Sequence, residues 1–427
     1  MVVQTVIERP RWQMAPAYLA TSYLFVVCWL PVTSRLAAGR WTAISCMTLF
    51  AAATVLGTVL PVFRLPEPTG RHAIGTVTLL LIDPKRKELR GSTPQGQREL
   101  MVQVWYPAES TGPGQAYRSR AEAALSHQHL TLVRTHAAEG VPSARSPERF
   151  PLIVFSPSWT GRRNQNSVQA EELASHGFIV VGMDHPYGTD LTLFPDGRTA
   201  KTTLGTFMDF STEETLKAGQ QAAEEELRVR TADARFVLDE MERCNRSDPA
   251  GLLTGRIDTS RVGIFGHSFG GAVAAEVCRT DSRFKAGLNY DGFIFGGALE
   301  KVIGKPFLVL FDDTPVPSAS MVEAAMGRTR RELSFTAENV KCLRHALSGE
   351  DSKVVTVLGT RHMNFCDSSL YSSMRRITHT GPISPQRALE IINACTLSFF
   401  RKHLEGEDDR LLRTSPSRYP EVVIEQL

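Results

Sequence analysis

Hydrophobic positions are unevenly distributed along the chain, and their spacing divides it into two parts. From Gln13 to Ser34 there is no charged residue, and after Arg35-Leu-Ala-Ala-Gly-Arg40 a second uncharged run extends from Trp41 to Phe63. At 1.5 Å of rise per helical residue, each run is long enough to cross about 30 Å of hydrocarbon. Residues 1–63 therefore read as a membrane segment of two transmembrane helices, with Pro16, Pro31 and several polar residues making the first run the weaker. A cleaved signal peptide is the alternative for the first run. Against it stand the long arginine-bearing lead-in and the lack of a clean A-x-A cleavage site before Arg40. Two spans would leave the N-terminus and the large remainder on the same side. Arg9, Arg11, Arg64 and Arg71 on the flanks, set against Arg35 and Arg40 between the runs, tilt only slightly toward a cytoplasmic placement, so the side stays open.

Residues 64–71 contain Arg64-Leu-Pro-Glu-Pro-Thr-Gly, an extended proline-bearing connector. Beyond it the pattern changes to short apolar runs. Ile74 to Ile82 and Leu100 to Tyr106 are β-type runs separated by charged residues, which predicts an antiparallel edge pair. Further runs are Leu152–Phe155, Phe178–Val181, Val262–Phe265, Ala286–Tyr290, Phe307–Phe311 and Val354–Leu358. Helical stretches alternate with them at Gln165–Ser175, Thr212–Arg243, Gly270–Arg279 and Pro385–His403, while 109–149 reads as loop with some helix. Apolar strands alternating with helices give an α/β domain over 72–405, whose mostly parallel sheet is covered on both faces and carries its functional loops at the strands' carboxyl ends. Residues 406–427 read as a C-terminal tail.

The chemistry enters at Gly266-His267-Ser268-Phe269-Gly270, between the β-type run Val262–Phe265 and the helix-forming Gly271-Ala272-Val273-Ala274-Ala275. Gly-x-Ser-x-Gly between a strand and a helix is a nucleophile elbow: the serine sits in a cramped turn and the glycines leave room a side chain would fill. Ser268 is the candidate nucleophile. A serine hydroxyl needs an imidazole to take its proton and a carboxylate to orient that imidazole, in the chain order Ser, Asp or Glu, His. His362, in the loop after the last strand, fits the base. Its rivals are His267, expected to point away from Ser268, and His379 and His403, which lie beyond the strand end or on a helix. For the carboxylate, Asp291 follows one strand and Asp312 and Asp313 follow the next, and position in the fold alone slightly favours the later pair.

Composition narrows the function classes. A net charge of +3 with mixed signs offers no basic face for nucleic acid. The 7 cysteines are odd in number and lack C-x-x-C spacing, so they suggest neither a metal site nor a disulfide framework, and the chemistry calls for no cofactor.

The chain resembles the platelet-activating-factor acetylhydrolase family, neighbours of the dienelactone hydrolases among the α/β-hydrolases. The resemblance rests on Ile257 through Gly271, Asp281 through Gly292, Gly359-Thr-Arg-His362-Met-Asn-Phe and Leu397 through Leu404, with Phe155-Ser156 and Leu173 through Val180. It covers most of 72–405 and leaves the membrane segment outside. It implies an α/β-hydrolase fold with Ser268 as nucleophile, Asp291 as acid and His362 as base, and so overrules Asp312 and Asp313. It also implies oxyanion donors at the Phe269 N–H and, by alignment from Phe155-Ser156, at the Trp159 N–H. Here the chain departs from the family, which typically has His-Gly-x-Gly where this sequence reads Pro157-Ser158-Trp159-Thr160-Gly161. The implied substrate is a phospholipid with a short or oxidised sn-2 acyl chain, and the membrane segment outside the resemblance would place such a lipid within reach. A general carboxylesterase or dienelactone-type hydrolase acting on soluble esters is the alternative. A non-catalytic membrane-tethered scaffold is the reading from another class, and no triad member is missing to favour it.

Overall fold

The computed structural model describes residues 10–29, 32–91, 96–123, 125–349, 351–408, 411–413 and 418–425. Arg9 and Pro31, used above, lie outside them. The helices are α1 (Ala15–Cys28), α2 (Val32–Val59), α3 (Ser167–Ser175), α4 (Glu213–Arg246), α5 (Phe269–Thr280), α6 (Ala319–Ala324), α7 (Gly327–Ala346), α8 (Arg375–Thr378) and α9 (Pro385–Phe400). The strands are β1 (Ala73–Lys87), β2 (Gln97–Ala108), β3 (Gly114–Ala116), β4 (Arg134–Glu139), β5 (Phe150–Ser156), β6 (Ile179–Met183), β7 (Leu191–Leu193), β8 (Thr199–Lys201), β9 (Ile257–His267), β10 (Phe284–Tyr290), β11 (Phe307–Phe311), β12 (Lys353–Val357) and β13 (Val422–Glu425).

An 11-stranded sheet runs β13-β12-β11-β10-β9-β5-β6-β2-β1-β4-β3. From β6 to β12 its neighbours pair in parallel, and β2 and β13 join that core antiparallel on either side. The expected β1–β2 pair forms, in register from Ala73 opposite Ala108. The fold is that of an α/β-hydrolase.

Alternation along the central strands explains why both faces are covered. Leu152 and Val154 of β5 pack with Val262 and Ile264 of β9 under α4 and α5, whereas Ile153, Phe155 and Phe265 face the opposite core with Leu173 of α3 and Ile391 of α9. Strands buried on both sides have to be apolar throughout, and all of β5 is buried. The chain leaves β5 for β6 on one side and later returns to β9 on the other. Such a reversal opens a crevice at the carboxyl ends of the two strands. The loop 157–161 and Ser268 both emerge there.

Several elements differ from expectation. Residues 109–149 contain β3 and β4 with a 3₁₀ turn, and residues 422–425, set apart with the tail, pair with β12 as an edge strand. At the N-terminus the helix is continuous through Arg35–Arg40, and α1 and α2 form an antiparallel hairpin in which the Tyr23 hydroxyl meets Thr42 and the Gln13 amide meets the Leu60 carbonyl. Among the described residues, Gly39–Val59 is the one helical stretch long and apolar enough to cross a membrane, while α1, with 14 residues, measures about 21 Å. The hairpin joins the domain through Ser373, whose hydroxyl donates to the Thr58 carbonyl at 2.9 Å.

Candidate active site

The turn after β9 is tight because its glycines are enclosed. A β-carbon on Gly266 would overlap the Gly270 carbonyl, one on Gly270 would overlap the Ser156 carbonyl, and one on Gly271 would strike the Asn289 side chain. Between them Ser268 adopts φ 56°, ψ −120°, a region that L residues seldom occupy unless their surroundings hold them there. Its N–H is tied to the Tyr290 carbonyl at 2.8 Å. Ser268 remains partly exposed at the first turn of α5, where the Phe269 N–H has no intrahelical acceptor and the helix dipole favours negative charge.

Asp291 ends the neighbouring strand, β10, with φ 52°, and its N–H donates to the Leu310 carbonyl at 2.8 Å. Its Oδ2 receives the His362 Nδ1–H at 2.7 Å, and its Oδ1 receives the Asp312 N–H at 3.0 Å. The structure thus brings Asp291 and His362 together, as the resemblance implied. The later aspartates serve the loops. Asp312 accepts from the Thr314 N–H and hydroxyl, which caps the following turn, and Asp313 accepts the Gly359 N–H at 2.9 Å ahead of His362.

The electrostatics suit a base. Burial opposes charge on His362, but the hydrogen bond and charge of Asp291, with Asp312 behind it, outweigh burial and raise its pKa above 6.5. The His362 side chain keeps 41 % of its surface exposed against 12 % for Asp291, so the imidazole faces the crevice and the carboxylate lies behind it. With Nδ1–H committed to Asp291, Nε2 is the ring nitrogen left without that partner. Among the described residues no hydrogen bond joins the Ser268 hydroxyl to His362, a contact that commonly tightens only around substrate.

His267 is fully buried beside the elbow but does more than fill space. Its Nε2–H donates to the His362 carbonyl at 3.1 Å, its Nδ1 accepts from the Gln165 amide at 2.9 Å, and the two imidazoles pack with centroids 4.7 Å apart and planes tilted by 32°. Burial and the neighbouring His362 charge push its pKa far down, so it stays neutral and holds the His362 loop. Gln165 turns its carbonyl oxygen to the Ser158 N–H at 3.0 Å, which links the base loop to the loop after β5. His379 lies exposed at the end of α8, and His403 packs its ring on Phe399 at 4.7 Å beyond α9.

Trp159 lies at the crevice. Its indole N–H donates to the Gly205 carbonyl at 2.9 Å, and its ring packs edge-on against Phe269 at 4.9 Å and beside Phe207 at 5.1 Å. Among the described residues its backbone N–H donates to no protein acceptor. Beneath the loop lies a group that was not anticipated: Glu226, Arg230 and Asp233 of α4, all fully buried. The signal was present, since these charges fall on the helix face that also carries Ala223, Leu227, Ala234 and Val237. Asp233 accepts from His185 Nδ1 at 2.8 Å, and His185 Nε2 lies 3.4 Å from the Ser156 hydroxyl. This second Ser-His-Asp set is sealed, with every member at 0 % exposure, and burial pushes His185 down to about 4, so it braces β5 and meets no substrate.

Comparison with known proteins decides the family. The family description "Platelet-activating factor acetylhydrolase, isoform II" matches residues 61–411. The chain belongs to that family. It is 26 % identical over 394 residues, covering 84 % of this chain and 93 % of the relative, to a protein of Arthroderma benhamiae named "Probable 1-alkyl-2-acetylglycerophosphocholine esterase". It is 24 % identical over 385 residues to the platelet-activating factor acetylhydrolase of Cavia porcellus, covering 82 % of this chain and 83 % of that one. Among solved structures, the ferulic acid esterase of Streptomyces cinnamoneus superposes with a TM-score of 0.68 at 30 % identity, over 86 % of this chain and all of the esterase. This member of the acetylhydrolase family is a carboxylic-ester hydrolase.

Proposed function

We propose that the protein cleaves short sn-2 acyl groups from phospholipids through an acyl-enzyme on Ser268. The observation that carries this reading is the 2.7 Å contact between His362 Nδ1 and Asp291 Oδ2, placed beside a strained Ser268 in a chain of the acetylhydrolase family. His362 Nε2 takes the Ser268 proton as the oxygen attacks the ester carbonyl. The Phe269 and Trp159 N–H groups receive the oxyanion, each donor contributing about 3 kcal/mol to the transition state. His362 then gives its proton to the leaving lysolipid oxygen. Water, deprotonated by the same histidine, releases the acyl group as the free acid and restores Ser268.

The aromatic wall of Trp159, Phe207, Phe269 and Phe295 is apolar and closely packed, which suits a short acyl chain better than a long one. The N-terminal hairpin supports delivery from a membrane. Leu19, Phe25, Val26, Trp29, Trp41, Met47, Phe50 and Val55 are all exposed on it, and so many exposed large apolar side chains on one hairpin suit lipid better than water. We infer that Gly39–Val59 inserts in a bilayer and tethers the hydrolase beside its substrate.

A second reading, an esterase for soluble or aryl esters, is favoured by the structural likeness to a ferulic acid esterase. A panel of short-acyl phospholipids, long-acyl phospholipids and soluble aryl esters separates the two. The proposal expects the highest kcat/KM on short-acyl phospholipid, and preference for the aryl esters would replace it with the second reading.

A further inference from the structure

One of the buried charges of α4, Arg230, reaches the loop that carries Trp159. Arg230 donates from Nη1 to the Ser158 carbonyl at 2.7 Å and to the Pro157 carbonyl at 3.3 Å, and from Nη2 to the Trp159 carbonyl. Its Nε donates to Glu226 Oε1 at 2.7 Å, and Glu226 Oε2 meets Arg90 at 2.7 Å. Its guanidinium also lies 5.2 Å from the Phe269 ring and 5.9 Å from the Trp159 ring. One side chain therefore lies against both Trp159 and Phe269, the two residues proposed as oxyanion donors.

A trans peptide points its C=O and N–H in opposite directions. The Ser158 carbonyl and the Trp159 N–H belong to one peptide plane, so a guanidinium fixed on that carbonyl turns the Trp159 N–H to the other side of the loop. The preceding plane behaves the same way: Arg230 holds the Pro157 carbonyl, and the Ser158 N–H on the far side donates to Gln165. A cation on a carbonyl also polarises its amide, which strengthens the N–H as a donor. The cost of burying this charge is offset by Glu226, and the fit leaves little space: a β-carbon on Gly188 would collide with Glu226 Oε1.

We propose that Arg230, held by Glu226, is the positioning residue of the oxyanion hole, clamping the carbonyls of Pro157, Ser158 and Trp159 so that the Trp159 N–H is preset toward the developing oxyanion. This rests on the assignment of Ser268 as nucleophile.

The test uses the full chain, a short-chain nitrophenyl ester and an alkyl boronic acid, which forms a tetrahedral adduct on an active serine. The rate is expressed per active site, counted by fluorophosphonate labelling, so that misfolded protein does not contribute. In Arg230→Met/Glu226→Gln, which removes both fully buried charges and leaves only the partly exposed Arg90 without its partner, kcat is expected to fall about 100-fold with KM within about threefold. The boronate inhibition constant should rise in parallel, and the acid limb of the pH profile should stay in place because His362–Asp291 is untouched. Arg230→Lys, whose ammonium cannot reproduce the planar fork, should lose about tenfold and carries the test where the double variant does not fold. A kcat per active site within threefold of wild type, or a lost kcat with unchanged boronate affinity, overturns the proposal. Wild-type protein inert toward both ester and fluorophosphonate overturns the Ser268 assignment itself, a distinguishable result.

Discussion

His362 Nδ1 lies 2.7 Å from Asp291 Oδ2, and the same carboxylate is held from behind by the Asp312 N–H at 3.0 Å. The carboxylate is thus fixed before it orients the imidazole. Asp291→Asn keeps the shape but presents an amide that favours the wrong tautomer, and kcat on a short ester is expected to fall about 10⁴-fold. Asp312→Asn and Asp313→Asn leave that contact in place and should each cost less than about tenfold. Steady-state kinetics of the three variants check this, and the reverse ranking would move the acid from Asp291 to the strand end after β11.

The pH profile follows from the same contact. His362 acts when neutral, and Asp291 raises its pKa above 6.5, so kcat/KM should climb with pH through a limb above that value. Asp312 contributes to the raised value through its charge. Neutralising it as Asp312→Asn should shift the limb to lower pH, and a limb that moves upward instead would contradict the assignment.

Trp159 separates a backbone role from a side-chain role. Trp159→Ala keeps the N–H and removes the ring that packs on Phe269 and Phe207, so short-ester kcat should change by less than about tenfold while longer acyl chains become acceptable. Trp159→Pro removes the N–H and should cost about 10²–10³ in kcat. An acyl-chain series on both variants reads the two effects, and equal losses would argue against the donor.

The hairpin yields a prediction that does not involve catalysis. The wild-type chain should stay with membranes through alkaline carbonate washing. Met47 and Val55 are both exposed on α2 and make no part of the domain core, so Met47→Lys/Val55→Lys should release the protein with its ester hydrolysis intact. Retention of the double-lysine variant in the membrane fraction would remove α2 as the anchor.

What could be read from the chain follows from how each element is buried. Strands β5, β6, β9, β10, β11 and β12 stand between two cores and appear as continuous apolar runs, which one sequence reveals. Ser268 and His362 sit in loops whose position those strands determine. By contrast, β13 is an edge strand of only Val-Val-Ile-Glu, too short to stand out from a tail, and β4 reads Arg-Thr-His-Ala-Ala-Glu, which carries no apolar period; the pairing of both is set by distant partners. The choice of Asp291 over Asp312 came from resemblance, because a strand-end aspartate looks the same on either strand until its neighbours are known. Arg230 was missed because a charge in a helix is usually solvated, and its distinguishing context, an apolar face, becomes decisive only when the carbonyls of 157–159 are placed against it.

The acyl-enzyme is the most direct test of the account as a whole. Wild-type protein mixed with a short-acyl phospholipid, quenched in acid within the first turnovers and digested, should show one acyl group on the peptide bearing Ser268. Asp291→Asn should accumulate that species more slowly, and Ser268→Ala should not form it. An acyl group found on another residue, or full turnover by Ser268→Ala, would contradict the account.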